Sequence, residues 1–283
     1  MLAKFSYRFL LVVLLFLITL PLSFAFSFEL KPKEVIPGDV FSIAVHANKD
    51  ITALPIAEFD GIKIDFYRDI NARLIALVPV DIETKPKKYP VSVHYGDDKE
   101  TKYVTIKPHS FQTKKITLPE EKVILRPEDL KRAEKETELM NNTLSQVTDR
   151  LWDGRFTAPT DTGISEPFGT KRIMNGKRTS VHRGIDYKGK TGTPVNAVNA
   201  GIVVLKEDLF FGGNTVVLDH GMGLFSVYMH LSEFRVEKGD AISKGQIIGL
   251  VGMSGRATGP HLHFGLKLQG VSVNPLSLFK LEL

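Results

Sequence analysis

The C-terminal half of the chain limits the possible fold most strongly, because short runs rich in valine and isoleucine alternate there with glycines. Such runs are typical of strands, and the glycines between them are typical of turns that leave side chains at strand ends. No helix of any length fits after Trp152. Residues 153–283 are therefore predicted to form a glycine-rich, nearly all-β domain. The candidate strands cover residues 195–205, 215–219, 224–229 and 247–251.

A second β region is predicted at residues 26–110, as a chain of 283 residues exceeds the usual size of one domain. Apolar and polar residues alternate in runs such as 40–45 and 91–95, which is the pattern of strands with one buried face. Asp60-Gly61 is typical of a hairpin turn between two such strands. The sequence predicts a small antiparallel β-sandwich, an accessory domain. Its three histidines lack the spacing of metal ligands, which favours structural roles: His46, His94 and His109.

Residues 111–152 are predicted to be a connector that contains one helix, at residues 127–151. Pro127 and the acidic residues after it suit a helix N-terminus. Apolar residues then recur at alternating three- and four-residue steps, which places them on one helix face. We interpret the helix as a connector packed on a neighbouring domain, and a dimerising coiled coil is the alternative. The residues of this face are Leu130, Ala133, Thr137, Met140, Leu144, Val147 and Leu151.

Residues 1–25 have the layout of a secretory signal peptide. Lys4 and Arg8 precede an apolar run at 9–20, and the small residues Ser23 and Ala25 suit a cleavage site. The run is shorter than the roughly 20 apolar residues of a membrane-spanning helix, although an uncleaved anchor is the alternative. We therefore expect an exported protein of the periplasm or cell envelope, without stable membrane insertion once the signal is cleaved.

The amino-acid composition limits the kinds of cross-link and metal ligand that the chain can provide. The chain has no cysteine, which excludes a disulfide framework and thiolate metal ligands. Its net charge of +5, with 24% charged residues, is ordinary for a soluble folded protein. So small a basic excess usually reflects solubility, and it would also suit an anionic polymer such as a cell wall. We expect no nucleic-acid partner, and the sequence predicts no particular oligomeric state.

The C-terminal domain carries a set of histidine and aspartate residues suited to hydrolytic metal chemistry. A catalytic zinc site needs three ligands such as His, Asp or Glu and one open position. His182 and Asp186 lie four residues apart, while His261 and His263 would lie on one face of a strand, because side chains alternate there. His230 follows a strand as a fifth candidate. Other polar residues are expected outside the site. We interpret His220 as a turn cap and Arg172, Lys177 and Arg178 as solvated surface charges, and a groove for an acidic peptide lined by these three is the alternative.

Over about residues 157–275 the sequence resembles the lysostaphin and LytM type of zinc metallopeptidase. The resemblance depends on Glu166-Pro167-Phe168-Gly169, Ser180-Val181-His182-Arg183-Gly184-Ile185-Asp186, Tyr228-Met229-His230-Leu231 and Gly255-Arg256-Ala257-Thr258-Gly259-Pro260-His261-Leu262-His263-Phe264. It implies the duplicated hybrid motif, a lipoyl-like β half-barrel. A carrier-domain function, which this fold would also allow, is disfavoured by the metal-ligand set.

By this resemblance, His182, Asp186 and His263 hold one Zn²⁺, and His230 and His261 are catalytic. The implied reaction is hydrolysis of peptide cross-links in bacterial peptidoglycan, by a metal-activated water with a histidine as general acid and base. A D-alanyl to diamino-acid bond is our first expectation and a glycine bridge the second. Which histidine is the base stays open. A non-catalytic regulator that binds the cell wall is the alternative function.

Overall fold

The computed structural model describes residues 26–47, 53–69, 72–117 and 125–283. The signal peptide predicted at residues 1–25 lies outside these ranges. Within them the chain forms 22 strands and two α-helices, which confirms the mainly β fold class. Neither helix of the described residues is long and apolar enough to cross a membrane.

The N-terminal region is a β-sandwich of two sheets. One sheet has the order β1-β3-β7-β6 and the other β2-β9-β8-β4-β5. Neighbouring strands are antiparallel except β2 and β9, which are parallel. The strands are β1 (Phe26–Lys31), β2 (Glu34–Val35), β3 (Val40–Ala47), β4 (Ile56–Phe59), β5 (Ile62–Asp65), β6 (Tyr67–Arg68), β7 (Leu74–Pro79), β8 (Lys88–Tyr95) and β9 (Asp98–Ile106).

The two sheets enclose one apolar core. Alternation along β1 buries Phe26, Phe28 and Leu30, while the residues between them are more exposed. Each such side chain contributes about 1.5–3 kcal/mol when fully buried. The turns follow the sequence prediction, since Asp60 and Gly61 have φ values of 47° and 79° and connect β4 to β5.

The connector differs from its prediction in two ways. It contains a strand that was not predicted, β10 (Thr113–Ile116), which pairs in parallel with a strand of the C-terminal domain. Its helix, α1 (Pro127–Thr143), ends well before residue 151. The predicted end was therefore wrong.

Long-range contacts explain the early end of α1. Leu144, the C-cap residue, is buried in an apolar cluster with strand residues of the C-terminal domain. Beyond it, the Thr148 hydroxyl donates to Asp219 Oδ2 at 2.7 Å, and the Leu151 N–H donates to the His220 carbonyl at 2.8 Å. These bonds replace helical ones, and the continuous apolar face is lost, since Val147 is 69% exposed.

The C-terminal domain is a glycine-rich half-barrel. Its ten-stranded sheet has the main order β11-β14-β21-β18-β17-β16-β19, and β12 and β13 form a small sheet with β10. The elements are β11 (Ile164–Glu166), β12 (Lys171–Met174), β13 (Arg178–Val181), β14 (Ile185–Lys188), β15 (Pro194–Asn196), β16 (Gly201–Leu209), β17 (Gly213–Asp219), β18 (Leu224–Phe234), β19 (Ala241–Ile242), β20 (Ile247–Val251), β21 (His261–Leu268), β22 (Val271–Val273) and α2 (Pro275–Phe279).

Two details of this domain differ from expectation. The strand expected at residues 195–205 is split into β15 and β16. A short helix, α2, follows Pro275, and the Asn274 side chain caps it by accepting from the Leu276 N–H. Local turn and cap chemistry causes the second difference, because Asn followed by Pro is a favourable helix start.

The sandwich and the half-barrel share an apolar interface. Val40, Tyr67 and Leu77 of the sandwich belong to the same buried cluster as Trp152 and Phe168. Hydrogen bonds flank this cluster, as the Val40 N–H donates to Ser277 Oγ at 2.9 Å. The two regions are therefore packed on one another.

His220 lies in the core rather than at the surface of a turn. Its Nδ1 donates to the Ala200 carbonyl at 2.6 Å, and its Nε2 is bonded to the Ser226 hydroxyl at 2.7 Å. Burial lowers the pKa of His220 to about 4 from its usual value of 6.5. Between these values the unfolded chain binds more protons than the folded protein, so acidification destabilises the fold.

The unfolding free energy should fall between pH 6.5 and pH 4, and we expect the titration of His220 to account for up to about 3 kcal/mol of that fall. His220→Asn should remove this part of the pH dependence. Urea unfolding in the presence of a chelator, followed by fluorescence of Trp152, the single tryptophan, measures it. His109→Asn, at an exposed position, is the control. Equal pH slopes for wild type and His220→Asn would contradict the prediction.

Candidate metal centre and catalytic groove

Three separate segments bring the predicted metal ligands together. Asp186 on β14 and His263 on β21 are cross-strand partners in an antiparallel pair, so their side chains project to the same face. His182 follows β13, where its N–H donates to the Thr170 carbonyl at 2.9 Å. Sheet register thus places an aspartate and a histidine together, and the adjacent loop adds the second histidine.

The three donor atoms form a compact triangle. His182 Nε2 lies 3.0 Å from Asp186 Oδ1 and 3.0 Å from His263 Nδ1, and His263 Nδ1 lies 2.8 Å from Asp186 Oδ1. Among the described residues this is the cluster of His and Asp side chains that could hold a metal ion. The sequence prediction of His182, Asp186 and His263 therefore corresponds to a real spatial set.

The hydrogen-bond partners of His182 indicate that this set fits a cation. His182 Nδ1 lies 3.1 Å from the Pro167 carbonyl, to which it donates. In the neutral ring Nε2 then carries a lone pair, which faces the acceptor Asp186 Oδ1. Two acceptors facing each other repel, and a cation between them removes the repulsion. Two imidazole nitrogens and one carboxylate oxygen are ligands typical of zinc.

Asp186 is held by a chain of charged side chains. Arg172 Nη2 donates to Asp186 Oδ2 at 2.9 Å, and Arg172 Nε donates to Glu166 Oε1. Lys114 of β10 bonds the other Glu166 oxygen at 3.0 Å. The expectation that Arg172 is a solvated surface charge is therefore wrong. Its guanidinium group binds Asp186 Oδ2, which leaves Asp186 Oδ1 facing His182 and His263 as the oxygen that could bind a metal.

The protonation states suit metal binding. Burial alone would raise the pKa of Asp186, but its contacts with the His182 and His263 imidazoles outweigh burial and hold the pKa well below its usual range. Burial lowers the pKa of His263. The carboxylate is thus charged and the His263 imidazole neutral at neutral pH, as metal ligands must be.

His230 and His261 lie beside this triangle. Their ring centroids are 4.7 Å apart, and the His230 ring is 6.2 Å from that of His263. His261 Nε2 lies 3.9 Å from Asp186 Oδ1, farther than either ligand nitrogen. Nδ1 of each ring donates to a carbonyl, Ser254 at 2.9 Å for His230 and Gly259 at 2.8 Å for His261. Both Nε2 atoms are therefore left as acceptors in the neutral rings.

His230 has an unusual backbone. Its φ is 63°, in the left-handed region that costs a non-glycine residue about 1–2 kcal/mol. Its N–H donates to the Gly212 carbonyl at 2.7 Å, and the pairing of β18 with β20 shifts register just after it. Burial, followed by the nearby His261 and His263, lowers the pKa of His230 to about 4. The ring is therefore neutral at neutral pH.

A groove of about 580 Å³ is lined by Asp186, His230, His261 and His263, whereas His182 is buried and is not part of its lining. Its walls also include Lys114 and Ile116 of β10, Phe211 and Arg256. Sequence reasoning gave these residues no role in the site. Arg256 lies in one of the motifs on which the resemblance depends, so its place in the sequence could have indicated a role in the site. Nothing in the sequence of β10 indicates that the connector reaches the groove.

Gly184 tests how tightly the ligand His263 is packed. A Cβ at Gly184 would lie 2.6 Å from His263 Cε1 and 2.7 Å from its Nε2. Gly184→Ala should therefore displace the His263 ring and lower zinc affinity by about 10-fold to 100-fold, the range for disturbed ligand orientation. Competition with a chromophoric chelator measures this. Gly163→Ala is the control, as no atom lies within 4 Å of its added Cβ. Equal affinities for the two variants would exclude the packing argument.

The half-barrel carries a His-Asp-His set that could hold a metal ion. Residues 180–275 match the family described as Peptidase family M23. The C-terminal part of the chain is thus a peptidase M23 domain of the lysostaphin and LytM type. The match includes His182, Asp186, His230, His261 and His263.

Curated relatives share this domain. The chain is 42% identical over 114 residues to peptidoglycan DD-endopeptidase ShyA of Vibrio cholerae, covering 40% of this chain and 26% of the relative. It is 40% identical over 117 residues to DD-carboxypeptidase/endopeptidase Mpg of Neisseria meningitidis, covering 41% of this chain and 27% of the relative. The chain thus matches about a quarter of the length of these relatives.

A solved structure is similar over a longer region. The crystal structure of a candidate peptidase M23 from Pseudomonas aeruginosa covers 86% of this chain and 94% of its own, with 29% identity and a TM-score of 0.67. This coverage exceeds the M23 domain. The likeness therefore extends into the regions that precede it.

Proposed function

We propose that this protein is a zinc metalloendopeptidase that cleaves peptide cross-links in bacterial peptidoglycan. The observation that carries the proposal is the cluster of His182, Asp186 and His263, with His230 and His261 beside it, in an M23 domain. The first three would hold one Zn²⁺, and the last two would transfer protons. When bound, zinc supplies a Lewis acid that polarises the scissile carbonyl and acidifies water.

The chain's own residues would carry the protons. We assign the base to His230, because the Nδ1 bond to the Ser254 carbonyl leaves Nε2 as an acceptor, and burial lowers the pKa so that Nε2 is unprotonated at neutral pH. It accepts the proton of the attacking water as the water oxygen bonds to the carbonyl carbon. The same proton then passes to the amide nitrogen as the carbon–nitrogen bond breaks. His261, the other ring of the pair, would donate to the reacting oxygen in the form that carries a hydrogen on Nε2 as well as on Nδ1.

Peptidoglycan is proposed as substrate because two relatives are named DD-endopeptidases or DD-carboxypeptidase/endopeptidases. The same names favour a D-alanyl to diamino-acid cross-link over a glycine bridge. A cell-wall substrate fits an exported protein of the periplasm or envelope, with the signal at residues 1–25 either cleaved or kept as an anchor. The sandwich at 26–110 and the connector at 111–152 would be accessory to the peptidase domain at 153–283.

A regulator without catalysis is not favoured. Such a protein would need no complete set of ligands and proton-transfer groups, whereas this site contains both.

Digestion of purified sacculi tests the function. The chain without residues 1–25, loaded with zinc, should convert cross-linked dimers to monomers, as seen after a muramidase has cut the glycan strands of the treated sacculi. Mass spectrometry of the products identifies the new ends and hence the bond. A chelator should stop the release, and added zinc should restore it. Sacculi that stay intact with the zinc-loaded protein would overturn the proposal, and cleavage between glycines alone would overturn the D-alanyl assignment.

A further inference from the structure

We infer that Glu136 of the connector helix α1 is a positioning residue for His230, acting through the loop between β16 and β17. The inference rests on the proposed peptidase function, in which His230 transfers protons. It gives the connector a role in the groove itself. Three successive sets of contacts carry it.

The first set joins α1 to the loop. Glu136 Oε2 accepts from the Phe210 N–H at 2.6 Å, a short hydrogen bond to a charged acceptor. Glu136 Oε1 accepts from Arg132 Nε at 2.6 Å, and Arg132 Nη2 donates to the Asp208 carbonyl at 2.8 Å. Two backbone positions of the hairpin are thus bound by one ion pair on the helix. The Glu136 side chain is only 18% exposed, so water competes little for it.

The second set joins the loop to His230. Two residues after Phe210, the Gly212 carbonyl accepts the His230 N–H at 2.7 Å. The Phe211 carbonyl accepts the Arg256 N–H at 3.1 Å. Gly213 packs so closely on Ser254 and Gly255 that an added Cβ would collide with their atoms. The loop therefore holds both His230 and the segment 254–256.

The third set joins that segment to the imidazole ring of His230. Ser254 O accepts from His230 Nδ1, which directs Nε2 to the groove side of the ring. The Ser254 hydroxyl donates to the Leu231 carbonyl at 2.8 Å and accepts the Asn214 N–H at 2.9 Å. Backbone and ring of His230 are consequently fixed by the same loop. A left-handed φ persists only where the surroundings impose it, so loosening the loop should let His230 relax.

The test compares three variants of the full chain: Glu136→Ala, Glu136→Gln and Glu138→Ala. Glu138 is an exposed glutamate of the same helix and provides the matched control. Imidazole resonances of His230, assigned with a His230 variant, report its position. Zinc affinity, kcat and KM on a cross-linked muropeptide dimer complete the set.

We expect Glu136→Ala to shift the His230 resonances and to lower kcat about tenfold or more, because small misplacements of a proton-transfer group are costly. KM and zinc affinity should stay within about twofold, as the ligands lie on other segments. Glu136→Gln should recover most of kcat, since its amide oxygen can still accept from Phe210. Glu138→Ala should match wild type.

Unshifted His230 resonances in Glu136→Ala would overturn the inference, whatever the activity. A loss of kcat that is matched by loss of zinc, or that glutamine does not restore, would overturn it as well by indicating a general structural role. If wild type fails to cleave any muropeptide, the proposed function fails, while the resonances still decide whether Glu136 positions His230.

Discussion

Replacing His263 with alanine is expected to abolish zinc binding and peptidoglycan cleavage together. Its Nδ1 lies within 3.0 Å of both other donor atoms, so it is a direct ligand in the proposed site. Removing it leaves two protein ligands where a catalytic zinc site has three. Disturbed outer partners of a ligand cost about 10-fold to 100-fold in affinity, and loss of the ligand itself should cost more. Metal analysis after dialysis, beside the sacculus digestion, measures both effects.

The control for this variant is His46→Ala, which removes an exposed histidine of the sandwich. It should keep wild-type zinc content and activity. Full zinc occupancy in His263→Ala would exclude His263 as a ligand. Unfolding curves from Trp152 fluorescence should show that His263→Ala is folded, so that loss of zinc is not caused by loss of the fold.

Much of this site could be predicted from sequence because register rules are local. Alternation on a strand places His261 and His263 on one face, and the pairing of β14 with β21 brings Asp186 to His263. The order of turns and strands likewise predicted the β-sandwich. These features depend on residues close in sequence or on strand pairing of common type.

The features that sequence reasoning missed depend on contacts between distant segments. Arg172 resembles any surface arginine until Asp186 is placed beside it. The end of α1 was misplaced because Thr148 and Leu151 bond to the hairpin of β17 and β18, which no helical periodicity can indicate. β10 is short and polar, and its pairing with β12 becomes visible only in three dimensions.

Variants of His230 and His261 should keep their zinc while turnover falls, unlike variants of the metal ligands. Both rings lie beside the triangle of donor atoms and are not part of it. His261 Nε2, for example, is 3.9 Å from Asp186 Oδ1. His230→Ala or His261→Ala removes a proton-transfer or oxyanion group, an effect of ~10²-fold or more on kcat. Zinc affinity should change little in either. Metal analysis and sacculus digestion on the same preparations measure this contrast with His263→Ala.

His230 needs a second substitution, because alanine at φ 63° adds backbone strain to the loss of the ring. Asparagine tolerates this conformation, so His230→Asn separates the two effects. If His230 is the base, His230→Asn should be as inactive as His230→Ala and more stable. Recovery of turnover in His230→Asn would assign the defect to strain instead. Zinc lost from His261→Ala but retained by His263→Ala would reverse the assignment of this pair, since the ligand is then the histidine at the start of β21.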